Sequence, residues 1–160
     1  MNKQITLSQL EQYLSKAAWI LKGPVDASAF KVYIFPLLFF KRISDVYDEE
    51  FKQALDESDG DKEYASLPEM HRFEVPEVCH WKDVRETTVN VGLAIEKALR
   101  SIEQANQDFL YGIFGDAQWS NKNKLSDKLL IDLVEHFSQY PLGNRNVNPD
   151  MLGQAYEYLI

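Results

Sequence analysis

The sequence holds one cysteine, Cys79, in 160 residues. That excludes an intrachain disulfide and points to a reducing compartment, with the cytoplasm as the expected location. Glycine and proline are also scarce, at seven and six, which excludes collagen-like and low-complexity chains. No long hydrophobic run is present. The longest, Val32 to Phe40, is far short of the ~20 residues that cross a bilayer. The opening Met1-Asn2-Lys3-Gln4 has no apolar stretch behind a charged leader, so neither secretion nor membrane insertion is expected. A surplus of positive charge is missing too: 17 Lys and Arg face 25 Asp and Glu, a net charge of -8. General attraction to phosphates is thereby excluded, and any contact with nucleic acid has to be local.

The usual signatures of chemistry are equally sparse. Gly112 and Gly115 follow no buried strand, so they read as loop residues and not as a backbone cradle for a cofactor. Cys79, His80, His71 and His136 are the soft or imidazole metal-ligand candidates. Adjacent Cys79 and His80 lack the spacing that lets neighbouring ligands converge on one tetrahedral ion, so no zinc is expected. Asp56, Ser58 and Gly60 do not set the ligand pattern of a Ca²⁺ loop. No Gly-x-Ser-x-Gly elbow occurs. The acidic pairs Glu49-Glu50 and Asp56-Glu57 read as solvated ends of elements. Two basic groups remain as candidates for phosphate contact: Lys122, Lys124 and Lys128 around a helix start, and Lys82 with Arg85 after a Pro-containing stretch. The plainer reading of Lys122 and Lys124, which flank Asn121 and Asn123, is a solvated loop.

What is present is apolar, aromatic and helically periodic. With 45% hydrophobic residues, three Trp, eight Tyr and nine Phe, residues 1–160 are expected to form one domain with its own core. Leu7, Leu10, Leu14, Ala17 and Leu21 share a face, and Thr6 with Gln9 fits a capping box, predicting a helix over about 7–22. Gly23-Pro24 stops it. Asp26 then caps a second helix reaching about Leu55, with a kink or a break at Pro36. The acidic stretch 56–66 reads as an exposed loop, and 67–81, with Pro68 and Pro76, as extended chain or at most a strand. Periodicity resumes from about Asn90 to Asn106, and Phe109 to Phe114 reads as an apolar segment packed under a loop. Ser126 caps a further helix that Pro141 and Gly143 close, and Asn148-Pro149 starts a last one running to Ile160. The expected architecture is mainly α: a small bundle of five or six helices with one irregular Pro-containing connection. The uncapped apolar ending Tyr158-Leu159-Ile160 suggests that more protein follows.

The blocks Asp26-Ala27, Phe30-Lys31, Tyr33-Ile34, Leu37-Leu38-Phe39, Lys41 and Ile43-Ser44-Asp45 resemble the second-helix signature of the modification subunits of type I restriction-modification systems. Phe73-x-Val75-Pro76 with Trp81 is similar to that family's linker. Gly92 to Phe114 and Asp150 to Ile160 resemble its later blocks, the last leading into the methyltransferase domain. Pro36 departs from the pattern. The resemblance implies a subunit that moves methyl from S-adenosylmethionine to N6 of adenine in double-stranded DNA. It also implies partners: a specificity subunit that reads the DNA, a second modification subunit and a restriction subunit. The catalytic domain is then expected beyond residue 160; Asn148-Pro149-Asp150 shares only two residues with the Asn-Pro-Pro-aromatic signature. No catalytic, cofactor or metal residue is expected within 1–160. These residues would help assemble the complex and close around DNA. The alternative from another class is a stand-alone helical protein-interaction module without a DNA role.

Overall fold

In the computed structural model the described residues are 4–148 and 150. Thr6 accepts the Gln9 N–H while the Gln9 side chain accepts the Thr6 N–H, so the expected capping box starts α1, Leu7–Leu21. Asp26 caps a 3-10 turn, Ala27–Ala29, which runs straight into α2, Phe30–Glu57. This helix is 28 residues long and continuous across Pro36. Two shorter helices do not form. Proline removes one backbone donor and presses on the carbonyl a turn earlier. That local cost is outweighed here because Ile34, Phe35, Leu37, Leu38 and Phe40 flank it and are all buried.

The acidic stretch is only partly a loop. α2 extends through Glu57, and Asp61 accepts the Tyr64 N–H at 3.1 Å to start a one-turn helix, α3, Lys62–Ala65. The Pro-containing connection holds no strand among the described residues: Pro68–Met70 is a 3-10 turn, and α4, Trp81–Glu86, follows. Six residues with two buried side chains, Trp81 and Val84, give too short a period to be read from sequence. α5, Val91–Ala105, and α7, Asp127–Phe137, lie where periodicity puts them. Between them α6, Gln107–Leu110, buries Leu110, and Phe114 is buried beyond it, while Phe109 and Tyr111 are 77% and 83% exposed. The apolar segment is therefore not packed away as a whole. The expected helix after Asn148-Pro149 lies outside the described residues.

α1 packs along α7, and α2 runs past α1, α4 and α7. At the centre Tyr13 donates from its hydroxyl to the Phe137 carbonyl and meets that ring edge-on, with centroids 5.1 Å apart. His136 Nε2 donates to the Tyr13 carbonyl at 2.6 Å, and the two rings stack. Burial holds the His136 imidazole below its ordinary pKa, against the pull of the Tyr13 carbonyl. A depressed histidine stabilises the fold above its ordinary value of 6.5. That share is lost as pH falls below 6.5 and through the folded-state pKa, because the unfolded chain takes up the proton first. Asp45 and Asp48, whose pKa values burial raises, act in the opposite sense at lower pH. The His136→Gln variant isolates the effect, since it keeps a donor but no proton uptake. Its unfolding free energy should fall less between pH 7.5 and 5.5 than that of wild type, and equal falls in both proteins would show that His136 is not the group responsible.

Candidate nucleic-acid interface

The five candidate cations fall on two surfaces joined by α7. Lys128, Asp132 and Glu135 follow one another at helical spacing on its outer side. Lys128 pairs with Asp132 at 3.0 Å, and Arg85 on α4 reaches Glu135 with two hydrogen bonds of 2.7 and 3.1 Å. The Arg85 bonds hold the Glu135 carboxyl below its usual range. Lys82, one turn before Arg85, is exposed. Lys122 sits 3.6 Å from Asp127. Among the described residues Lys124 forms no ion pair; its ammonium lies 6.0 Å from the Tyr33 ring centroid, and its charge helps hold the Asp26 carboxyl below its ordinary pKa, behind the Ser28 hydrogen bonds. Three of the five cations thus form an ion pair, and a fourth, Lys124, lies near enough to Asp26 to act on its carboxyl.

Two close contacts fix the loop that carries Lys122 and Lys124. Trp119 is buried edge-on against Tyr33, with centroids 5.1 Å apart. Its backbone passes so near α5 that a Cβ on Gly92 would lie 1.9 Å from the Trp119 carbonyl oxygen. Asp127 then accepts the Asn90 and Val91 N–H groups at 3.1 and 3.0 Å. The start of α5 is therefore capped by a residue from the start of α7, and Asn90 takes a left-handed conformation, φ 56°, to reach it. These bonds, the Val91 N–H first, keep the Asp127 carboxyl below its ordinary pKa, with help from Lys122. Lys124 lies over the first turn of α2, whereas the acidic stretch 56–63 follows its last turn. At 1.5 Å per residue the two ends, Tyr33 and Glu57, are about 36 Å apart.

A second charged cluster was not singled out from sequence. Lys41, Arg42, Asp45 and Glu49 line α2 and hold the segment 140–147 against it. Lys41 pairs with Asp45 and donates to the Tyr140 carbonyl at 3.1 Å. Arg42 donates to the Leu142 carbonyl at 2.6 Å and to Asn144. Asp45 accepts the Leu142 N–H at 2.7 Å. Glu49 takes the Asn144 and Arg145 N–H groups at 2.8 and 3.1 Å, and Glu50 takes that of Arg72 at 3.1 Å. The Glu49-Glu50 pair is thus no solvated end but two anchors for distant backbone. Nothing local announces this, because the partners lie 22 to 96 residues away in sequence. Around Cys79 and His80 the structure is equally specific: Cys79 is buried, and His80 meets the Tyr47 ring edge-on. Among the described residues no three His, Cys, Asp or Glu side chains stand close enough to hold a metal.

These features define a helical module whose buried charges bind its own segments and whose five candidate cations lie on α4 and around the N-terminal ends of α2 and α7. The model of the HsdM N-terminal domain family matches residues 10–137. The chain belongs to that family, the N-terminal domain of the modification subunit of type I restriction-modification systems. No curated protein matches the sequence significantly. Among the described residues no helix is long and apolar enough to cross a membrane.

Proposed function

We propose that this chain is the N-terminal domain of a cytoplasmic, S-adenosylmethionine-dependent DNA adenine-N6 methyltransferase subunit, in which it helps assemble the complex and close around DNA. The family match over residues 10–137 carries this reading. Its partners would be the specificity subunit, a second modification subunit, the restriction subunit and double-stranded DNA, and the cofactor would be held elsewhere in the full-length subunit. Extracting a target base requires the duplex to be gripped on both sides, which is a physical use for a separate clamping domain. Lys82 and Lys124, which form no ion pair among the described residues, are the strongest phosphate candidates; Lys122, Lys128 and Arg85, each paired with an acid, stand behind them.

The test is a salt titration of DNA binding by the full complex. Each lysine that neutralises a phosphate contributes about 0.9 to the slope of log affinity against log salt. Lys124→Ala is expected to lower the slope by about 0.9. The triple variant of Lys122, Lys124 and Lys128 should lower it by between ~0.9 and ~2.7, because Asp127 and Asp132 already offset two of the charges. An unchanged slope in the triple variant would remove DNA contact from this surface. It would favour a domain that works through protein contacts alone, as the net charge of -8 also suggests.

A further inference from the structure

Between α2 and the segment 66–80 lies a cleft that the phosphate reading does not use. Two adjoining cavities, of about 220 and 540 Å³, share Tyr47, Ser66 and Val75. The floor is apolar and aromatic: Val75 is buried, Phe51 is half-buried, and Tyr47 is braced by His71, which stacks on it at 3.7 Å and 9°. His71 is itself held by the Ala65 carbonyl at 2.7 Å and by Glu50 at 3.3 Å, which fixes the position of its ring against Tyr47. The rim is acidic. Asp48, Glu74 and Glu77 line the two cavities, and no lysine or arginine does.

The lips add a third observation. Leu67 is 43% exposed and Val78 is 75% exposed. Val78 is also the third residue of a turn closed by Cys79 N–H donating to the Pro76 carbonyl at 3.0 Å, and its φ is 61°. A β-branched residue in the left-handed region is strained, and that turn position ordinarily takes glycine or asparagine. A largely exposed isopropyl group is thus held in a conformation that disfavours it. Partial desolvation beside α2 pushes the otherwise exposed Asp48 carboxyl above its ordinary pKa, and Asp45 adds to this against the weaker opposing pull of His80, Lys41 and His71. A cation arriving from outside would reverse that shift.

We infer that this cleft docks a protein segment carrying lysine or arginine between apolar residues, the cation meeting Asp48 and Glu77 and the apolar side chains meeting Phe51, Val75 and Val78. Charge decides the class of partner. A wall with three carboxylates and no lysine or arginine, whose His71 is already tied to Glu50, disfavours phosphate and matches a basic, apolar peptide. The inference does not depend on the lysines proposed to reach DNA, since it concerns different residues.

The 160-residue chain, labelled with ¹⁵N, is titrated with the peptide acetyl-Leu-Arg-Leu-Lys-Leu-amide, with its counterpart bearing Glu at both charged positions, and with a short DNA duplex. The cationic peptide is expected to shift the amides of residues 47–51 and 75–80 saturably, and the acidic peptide and the duplex to leave them in place. The Asp48→Asn, Glu77→Gln variant alters two exposed side chains and should bind the cationic peptide at least about tenfold more weakly. No saturable shift with the cationic peptide, equal shifts from both peptides, shifts confined to other surfaces, or undiminished binding by the variant would each overturn the inference. Shifts of the same amides by the duplex would overturn it in favour of a nucleic-acid groove. The peptide comparison on the unaltered chain stands even if the variant does not fold.

Discussion

Replacing Gly92 by Ala is expected to lower the unfolding temperature by about 4–8 °C, although alanine is the better helix former. Gly92 lies in the first turn of α5, where the substitution alone would add roughly 1 kcal/mol of stability. Its new Cβ would stand 1.9 Å from the Trp119 carbonyl oxygen and 2.7 Å from the carbon. Those are backbone atoms and cannot swing aside as a side chain would. The loop must lift off α5, and overpacking of this kind costs about 3 kcal/mol, leaving a net loss of about 2 kcal/mol. Movement of the loop also disturbs the packing of Trp119 on Tyr33 and the seat of Lys122 and Lys124. Thermal unfolding followed by circular dichroism measures the shift, with Lys97→Ala on the exposed side of the same helix as a control near zero. A Gly92→Ala variant that melts higher than wild type would mean that the close approach to Trp119 is absent in solution.

Removing Asp45 should cost more still, and a second substitution should recover most of it. Asp45→Ala leaves Lys41, whose side chain is 6% exposed, with the Tyr140 carbonyl as its remaining acceptor, and it strands the Leu142 N–H. An uncompensated buried charge of this kind costs about 3–5 kcal/mol. Yet the intact pair contributes little on balance. Burial lifts the Asp45 carboxyl above its ordinary pKa even though Lys41 and the Leu142 N–H both pull it down, so desolvation outweighs attraction. Replacing both partners, Lys41→Met with Asp45→Leu, should therefore bring stability back to within about 1 kcal/mol of wild type. Denaturant unfolding of wild type, Lys41→Met, Asp45→Leu and the double variant closes the cycle and gives the coupling between the sites. A double variant as unstable as Asp45→Ala alone would show that the pair itself holds the 140–147 segment in place and is not merely a buried charge matched to its opposite.

Much of the helical framework was legible because its signals are local. The Thr6–Gln9 box, the Ser126 cap, whose side chain takes the Leu129 N–H at 3.1 Å, and the apolar faces of α1, α5 and α7 all lie within a turn or two of the residues they specify. The resemblance to the modification-subunit family was legible for the same reason, since it rests on the order and spacing of such blocks. Pro36 was read by its local cost alone, and the hydrophobic contacts that keep α2 whole come from elements far away in the chain.

The charged residues divide in the same way. Their positions and the net charge of -8 follow from the amino-acid sequence, as does the choice of Lys122, Lys124, Lys128, Lys82 and Arg85 as candidates. What stands beside each of these cations was decided by the folded chain: Glu135 beside Arg85 across 50 residues, Asp127 beside Lys122, and Tyr33 and Asp26 near Lys124. Tertiary contacts likewise turned Glu49 and Glu50 from apparent surface acids into anchors and brought Asp48, Glu74 and Glu77 around one cleft. The physical reason is range. Helix propensity, caps and periodicity act over three or four residues. The environment of an ionised side chain is set by whatever chain folds against it, whatever its distance in sequence.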